Sequence, residues 1–316
     1  AYVRGNPADY DGWAALGNLV WSYDEVLPFF MKSENLAQVE SLNKNYHSNQ
    51  GELHVTIADK FKTPFIDAFV DSCAAVGIPK TNDYNGKTQE GVGVVHSTIK
   101  EGKRCSGAAA FLKPMLGRKN LTVITKARVS KILLEGKKAN GVAFTKDKKA
   151  QKAIASMEVI LSAGAFHSPQ LLLLSGIGEA MELRKHGIDC LHELKGVGKN
   201  LQDHLFCPIS ISTNTQEGIN HYIPIINQLK ASWNYFVHKK GVFCTGPLEG
   251  MAFFDIHQQG NPANFQFHFT PIWMGDQYGY DAYDIHSYPK VDGLTILPTL
   301  LHPKSSGTVS LSSSNP

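Results

Sequence analysis

Apolar positions change their spacing along the chain, and each change marks a different kind of element. The first stretch reads as a loop and then a helix. Arg4-Gly5-Asn6-Pro7 is rich in turn formers. Ser22 and Glu25 have the form of a capping box just ahead of Val26, Leu27, Phe29 and Phe30. A linker runs through Asn49-Gln50-Gly51. The next helix is signalled at both ends: Thr63 as its cap and Pro64 in its first turn, then Gly77 and Pro79 as its stop. Between them Phe65, Ile66, Phe69, Val70 and Cys73 form one apolar stripe.

Residues 121 to 162 read as strands. The pattern predicts Leu121–Ile124, Val129–Leu134, Gly141–Thr145 and Met157–Leu161, with polar turns between them. The run Lys146-Asp147-Lys148-Lys149 reads as one of those turns, solvated. The pattern then switches: Gly164-Ala165-Phe166-His167 is a short turn, and a leucine-rich helix opens within two residues of Ser168 and ends at Ser175-Gly176. After about residue 205 aromatics become dense. The alternation Phe265-Gln266-Phe267-His268-Phe269 predicts a strand, with two more at Leu294–Leu301 and Gly307–Leu311. The expected fold class is mixed α+β and α/β: an interrupted dinucleotide-type domain and an antiparallel-sheet domain.

Composition narrows the class. A net charge of +3 over 316 residues, with dispersed lysines, does not suggest nucleic acid or an anionic surface as a partner. The longest aliphatic run, Leu171–Leu174, is far short of the roughly 20 residues a bilayer span needs. Cys73, Cys105, Cys190, Cys207 and Cys244 are odd in number and lack C-x-x-C spacing, so neither a disulfide scaffold nor a zinc site is expected. Unpaired thiols favour a reducing, cytoplasmic compartment. No His/Asp/Glu cluster has metal spacing, and no Gly-x-Ser-x-Gly supports a hydrolase.

The chemistry concentrates in Val159-Ile160-Leu161-Ser162-Ala163-Gly164-Ala165-Phe166-His167-Ser168-Pro169-Gln170. An apolar strand runs into small residues, and the following helix aims its free N–H groups and positive dipole end at that place. Such a corner suits a pyrophosphate, but a plain packing turn has the same form.

The full string through Leu171-Leu172 and Ser175-Gly176-Ile177-Gly178 resembles the second signature of the glucose-methanol-choline (GMC) oxidoreductases. Tyr2-Val3-Arg4-Gly5-Asn6-Pro7-Ala8-Asp9-Tyr10-Asp11 resembles the segment that covers the flavin in that family. Arg104-Cys105-Ser106 and Gly196-Val197-Gly198-Lys199-Asn200-Leu201-Gln202-Asp203-His204 resemble further family stretches, in the same order. The resemblance implies FAD, with Val129, Ala163, Gly164, Ser168 and Asn6 as cofactor-binding residues. It divides the chain into a lid and connecting helix (1–40), a substrate-domain part (41–100), a flavin-domain part (101–204) and a second substrate-domain part (205–316).

The implied reaction is oxidation of an alcohol by hydride transfer to flavin, with oxygen or a quinone-like compound as electron acceptor. The resemblance places the pyrophosphate loop ahead of Ala1 and the catalytic histidine beyond Pro316, leaving no catalytic residue in this chain. Tight FAD binding by these residues alone is therefore not expected. His302-Pro303 reads as a strand-end turn. His268 is the better pocket candidate, against the plainer reading of a core-edge histidine. A lyase or other non-oxidative flavoprotein on the same fold, or a product acting only through binding, is the alternative. Trp13, Trp21 and Phe29 are expected to pack the lid down, while Tyr2–Asp11 is expected to be weakly anchored without a flavin beneath it.

Overall fold

The computed structural model describes the chain apart from residues 59, 258–259, 261, 276–280 and 282–283. It divides into two compact units: Ala1–Arg118 with His204–His302, and Lys119–Asp203 with Pro303–Pro316. In chain order the helices are α1 (Pro7–Ala15), α2 (Tyr23–Ser33), α3 (Phe65–Ala75), α4 (Gly164–Leu174), α5 (Ala180–Lys185) and α6 (Ile225–Trp233). The main strands are β1 (Glu34–Leu36), β2 (Leu53–Ile57), β3 (Gly91–Val94), β4 (His96–Ser97), β5 (Ala127–Glu135), β6 (Lys138–Lys146) and β7 (Lys149–Ile154). They continue with β8 (Ile209–Ser212), β9 (Gly250–Phe254), β10 (Phe265–Thr270) and β11 (Gly293–Leu300).

The first unit is built on an antiparallel sheet in which β11, β10, β9 and β3 lie side by side, with β8 and the short strand Leu205–Phe206 on the far edge of β11. Strand periodicity sorts its side chains. Phe267 and Phe269 of β10 join Ala252, Val92, Leu294 and Ile296 in one cluster with Ile66, Phe69 and Cys73 of α3. Phe69 stacks on Phe269 with ring centroids 4.7 Å apart. Helix and sheet approach so closely that a Cβ on Gly250 would lie 2.6 Å from Ile66 Cδ1. The predicted stripe of α3 is therefore its buried face, and the predicted strands at 265–269 and 294–301 are β10 and β11. Thr63 does not cap α3. Its N–H and hydroxyl donate to the buried carboxylate of Glu249, at 3.0 and 2.6 Å. A buried carboxyl far along the chain, its pKa raised by burial, takes the Thr63 hydroxyl from the local helix end.

Other local expectations are corrected in this unit. The capping box forms at Asn6 and Asp9, where it opens α1, a helix the periodicity did not reveal. Ser22 makes no side-chain cap; the Tyr23 N–H donates instead to Asp11 Oδ1 at 3.0 Å. Trp13, Trp21 and Phe29 do not pack down: they are 47%, 50% and 69% exposed. Tyr23 and Val26 are the residues α2 buries. Tyr2–Asp11 is not weakly anchored either, because Arg4 and Asn6 are buried and hydrogen-bonded. Among its anchors, the Tyr2 N–H donates to the His96 carbonyl at 2.6 Å.

The second unit holds α4 against a three-stranded meander, β5-β6-β7. Ile132, Phe144, Leu171, Leu173, Leu174 and Leu183 are its large buried apolar residues. The Ile132 N–H donates to Ser175 Oγ at 2.8 Å and so ties β5 to the end of α4. Two of the four predicted strands are β5 and β6. Leu121–Ile124 and Met157–Leu161 form no ladder, and Val123, Ile124, Met157 and Ile160 are exposed. Strand propensity becomes a strand only where a second edge offers hydrogen bonds, and no described strand does so here.

The third strand of the meander is instead the polar Lys149–Ile154, exposed along its whole length. It forms because Asp147 and Lys148, at φ 51° and 61°, make the two-residue hairpin turn whose twist suits paired strands. Gly307–Leu311 is reduced to a bridge with Leu201 and a bond from the Val309 N–H to the Gly198 carbonyl. Residues 303–316, grouped by sequence with the antiparallel sheet, thus pack in the second unit, and residues 101–118 in the first.

Candidate functional site

Of the strand-turn-helix corner predicted around Gly164 only the helix forms: Met157–Leu161 is not a strand, and the predicted turn Gly164–His167 is already helical. Helix α4 begins at Gly164, four residues before Ser168, and Pro169 lies inside it. Ser168 therefore does not open the helix. Its hydroxyl oxygen reaches back and accepts the Ala163 N–H at 3.1 Å. Gly164 sits at φ +86°, a conformation that other residues adopt only with strain, and the position a Cβ would occupy has nothing within 4 Å. The backbone at the head of α4 is thus open to close approach. The N–H groups of its first turn have no acceptor inside the helix.

Val129 comes to the same place from β5. A cavity of about 300 Å³ is lined by Arg128, Val129, Ala163, His167, Gln170, Leu171, Leu174 and Pro316. Four of the six candidate residues meet here: Val129 and Ala163 in the wall, Gly164 next in the chain, and Ser168 bonded to Ala163. The lining combines an aliphatic floor with the guanidinium of Arg128, the imidazole of His167 and the amide of Gln170. Ligand pockets run from about 300 to 1,000 Å³.

Sequence reasoning missed Arg128, His167 and Gln170. His167 and Gln170 lie inside the singled-out motif, and Arg128 immediately precedes Val129. Proximity in sequence was the available signal, although Arg128 and Val129 point to opposite faces of an ideal strand. The strand is irregular just beyond them, with a register shift between Val129 and Lys131.

The other two candidates belong to the first unit. Asn6 is the N-cap of α1: its Oδ1 accepts the Ala8 N–H at 3.0 Å, and its Nδ2 donates to Gln89 Oε1 at 3.2 Å. Both ends of the side chain are engaged within the protein. His268 lies on β10, on the sheet face away from α3, and its Nδ1 is 3.3 Å from Thr299 Oγ1. Burial first, and then His204, hold its pKa below the ordinary imidazole value. The ring is therefore neutral near pH 7 and offers one acceptor nitrogen.

That face also carries Gln266, Thr270, Thr295 and Thr299, all buried. The Ser210 and Thr295 hydroxyls bond across it at 2.8 Å, and Gln266 Nε2 donates to Met251 Sδ at 3.7 Å. The sheet is therefore apolar toward α3 and rich in hydrogen-bonding groups on its other side. Among the described residues no group of three or more His, Cys, Asp or Glu could hold a metal ion, and no helix is long and apolar enough to cross a membrane.

Comparison with known proteins gives consistent findings. A family model described as GMC oxidoreductase matches residues 1–206. The whole chain is 36% identical to the alcohol dehydrogenase [acceptor] of Pseudomonas putida, over 56% of that protein. A 36% identity covers 91% of the chain and 50% of the oxygen-dependent choline dehydrogenase of Photobacterium profundum. The chain thus spans about half the length of these curated relatives. Among solved structures, an FAD-dependent oxidoreductase from Chaetomium thermophilum superimposes with a TM-score of 0.84 at 23% identity, over 99% of this chain and 61% of that one. At that identity the likeness is one of fold.

Proposed function

The chain belongs to the GMC oxidoreductase family, and on that premise we propose that it forms part of an FAD-dependent enzyme that oxidises a small alcohol at its CH–OH group. The observation that carries this reading is the meeting of Val129, Ala163 and the head of α4 around one cavity. The residues present fit one end of FAD. Val129, Leu171 and Leu174 would pack against the adenine, and Gln170 and His167 supply hydrogen-bonding groups for its polar edge. Arg128 and the free N–H groups of α4 would hold phosphate charge, with the open ground beside Gly164 allowing close approach.

When bound, the flavin supplies the two-electron acceptor that amino-acid side chains lack. The remaining work belongs to the protein. The polar sheet face with Gln266, His268 and Thr270 would orient a hydroxyl, and neutral His268 can accept its hydrogen bond. We assign no general base within this chain. The electron acceptor in this reading is oxygen or a quinone-like compound. The relatives named above are dehydrogenases and an oxidoreductase, so a lyase or a binding-only role draws no support from them.

The test is optical. Full-length protein should carry a yellow flavin that bleaches when a small alcohol is added without air, choline and aliphatic alcohols being tried in turn. Colourless protein that takes up no added FAD would remove the cofactor reading. Bound flavin that stays oxidised with every alcohol would remove the reaction.

A further inference from the structure

The first unit contains a line of four charged groups, three buried and one half-buried, that no part of the proposed reaction uses. Arg4 Nη2 lies 3.0 Å from Glu34 Oε1, Glu34 Oε2 lies 3.0 Å from His47 Nδ1, and His47 Nε2 lies 3.0 Å from Asp83 Oδ1. The side chains of Arg4, Glu34 and His47 are at most 2% exposed and that of Asp83 is 13% exposed. The four residues come from separate places: the N-terminal segment, the junction of α2 and β1, the loop before β2, and the loop after α3.

Geometry alone defines the state of His47. Each ring nitrogen faces a carboxylate oxygen, and a neutral imidazole has only one N–H to donate. Only the imidazolium satisfies both contacts, and only then do two cations balance two carboxylates inside the protein. The other titratable and charged groups facing the line do not replace it. His96 has its pKa lowered by burial, so it stays neutral beside Asp83. Tyr2 and Tyr23 have theirs raised, also by burial first, and remain phenols; Tyr46 offers Arg4 its backbone carbonyl.

The line ends on the segment that carries Asn6. The Arg4 N–H donates to Asn85 Oδ1 at 2.7 Å, Asn85 Nδ2 donates to the Tyr2 carbonyl at 3.1 Å, and Asn85 N–H donates to Asp83 Oδ1 at 3.1 Å. Gln89 Nε2 donates to the Arg4 carbonyl at 3.1 Å, and Gln89 Oε1 receives Asn6 Nδ2. Asp83 thus connects His47 to the loop that grips residues 2–6, and Glu34 connects it to the Arg4 side chain.

From this arrangement we infer that His47 is a positioning residue, clamped between Glu34 and Asp83, that holds the Tyr2–Asn6 backbone in place and so presents Asn6 at the head of α1. The role of that presentation rests on the reading that this segment covers the flavin. Losing the His47 charge leaves one arginine for two buried carboxylates, an imbalance that opens the packing around it. Burial by itself would push the imidazole pKa down, but the bonds to Asp83 and Glu34 overcome it and hold the value at about 9. The clamp should therefore be complete below about pH 6.5 and released as pH rises through about 9.

Hydrogen exchange on the full-length, flavin-loaded protein tests this, with protection corrected for intrinsic exchange at each pH. Amides of residues 2–6 should lose protection on the order of a hundredfold as pH passes through about 9, since each pKa unit is a factor of ten, while amides of β10 hold. In His47→Gln the protection of residues 2–6 should be low already at pH 7 and show no step. If that variant fails to fold, Asp83→Asn removes one acceptor and should move the step to lower pH. A His47→Gln protein with the wild-type step, an Asp83→Asn protein whose step has not moved, or a wild-type step shared equally by β10 overturns the inference. The two readings fail differently. Protein that takes up no added FAD yet keeps the step removes the flavin reading alone, and flavin-loaded protein without the step removes the clamp alone.

Discussion

About half of the strand residues in each unit are apolar, but to different effect. In the first, β9 and β10 each pair on both sides, and one face is closed by α3. In the second, β7 pairs on one edge only and buries nothing. Ile154 on β7 is 73% exposed, while Phe269 on β10 is 1% exposed. A strand's contribution to stability is thus set by what covers it more than by its composition. Stability should be concentrated in the α3–sheet layer, while the meander serves to bring Val129 to α4.

Four substitutions and one titration can break or sharpen that contrast. Phe69→Ala removes the ring stacked on Phe269 and should cost about 3–5 kcal/mol by urea unfolding of the first unit. A loss no larger than that of a surface variant would show that the layer is not the main source of stability. The pH effect comes next. His47 has a folded pKa of about 9 against an ordinary value of 6.5, so its stabilisation is present below pH 6.5 and lost as pH rises through 9. The unfolding free energy of the first unit should fall over that window by an amount on the order of 3 kcal/mol. A flat profile would argue that the four charges are not coupled to folding.

Gly250→Ala inserts a methyl group 2.6 Å from Ile66 Cδ1 and should cost about 1–3 kcal/mol, because α3 must lift from the sheet. Tolerance of this change would mean the layer is looser than its packing indicates. In the second unit, Ser168→Ala leaves the Ala163 N–H without its acceptor and should cost about 1 kcal/mol, read as roughly fivefold weaker FAD retention by the full-length protein. Unchanged retention would separate Ser168 from the cofactor corner. Smallest of all, Ile154→Ala on the exposed β7 should shift stability by no more than about 0.5 kcal/mol. A larger loss would show that β7 is covered in solution.

Much of this was legible in the chain itself. The stripe of α3, the alternation at 265–269, the hairpin turn at 146–149 and the leucine-rich helix that stops at Ser175-Gly176 are local patterns, and local sterics and periodicity express them directly. The family signature extended that reading to Val129 and Ala163, and both stand at one cavity. What the tertiary structure decided depends on partners distant in sequence. Thr63 looked like a cap until Glu249, 186 residues away, supplied a stronger acceptor. Leu121–Ile124 and Met157–Leu161 have strand composition but no paired edge among the described residues. Arg4, Glu34, His47 and Asp83 carry no shared motif or spacing. Only the fold brings each to 3.0 Å from the next, where removal from water turns four ordinary charged residues into one coupled element.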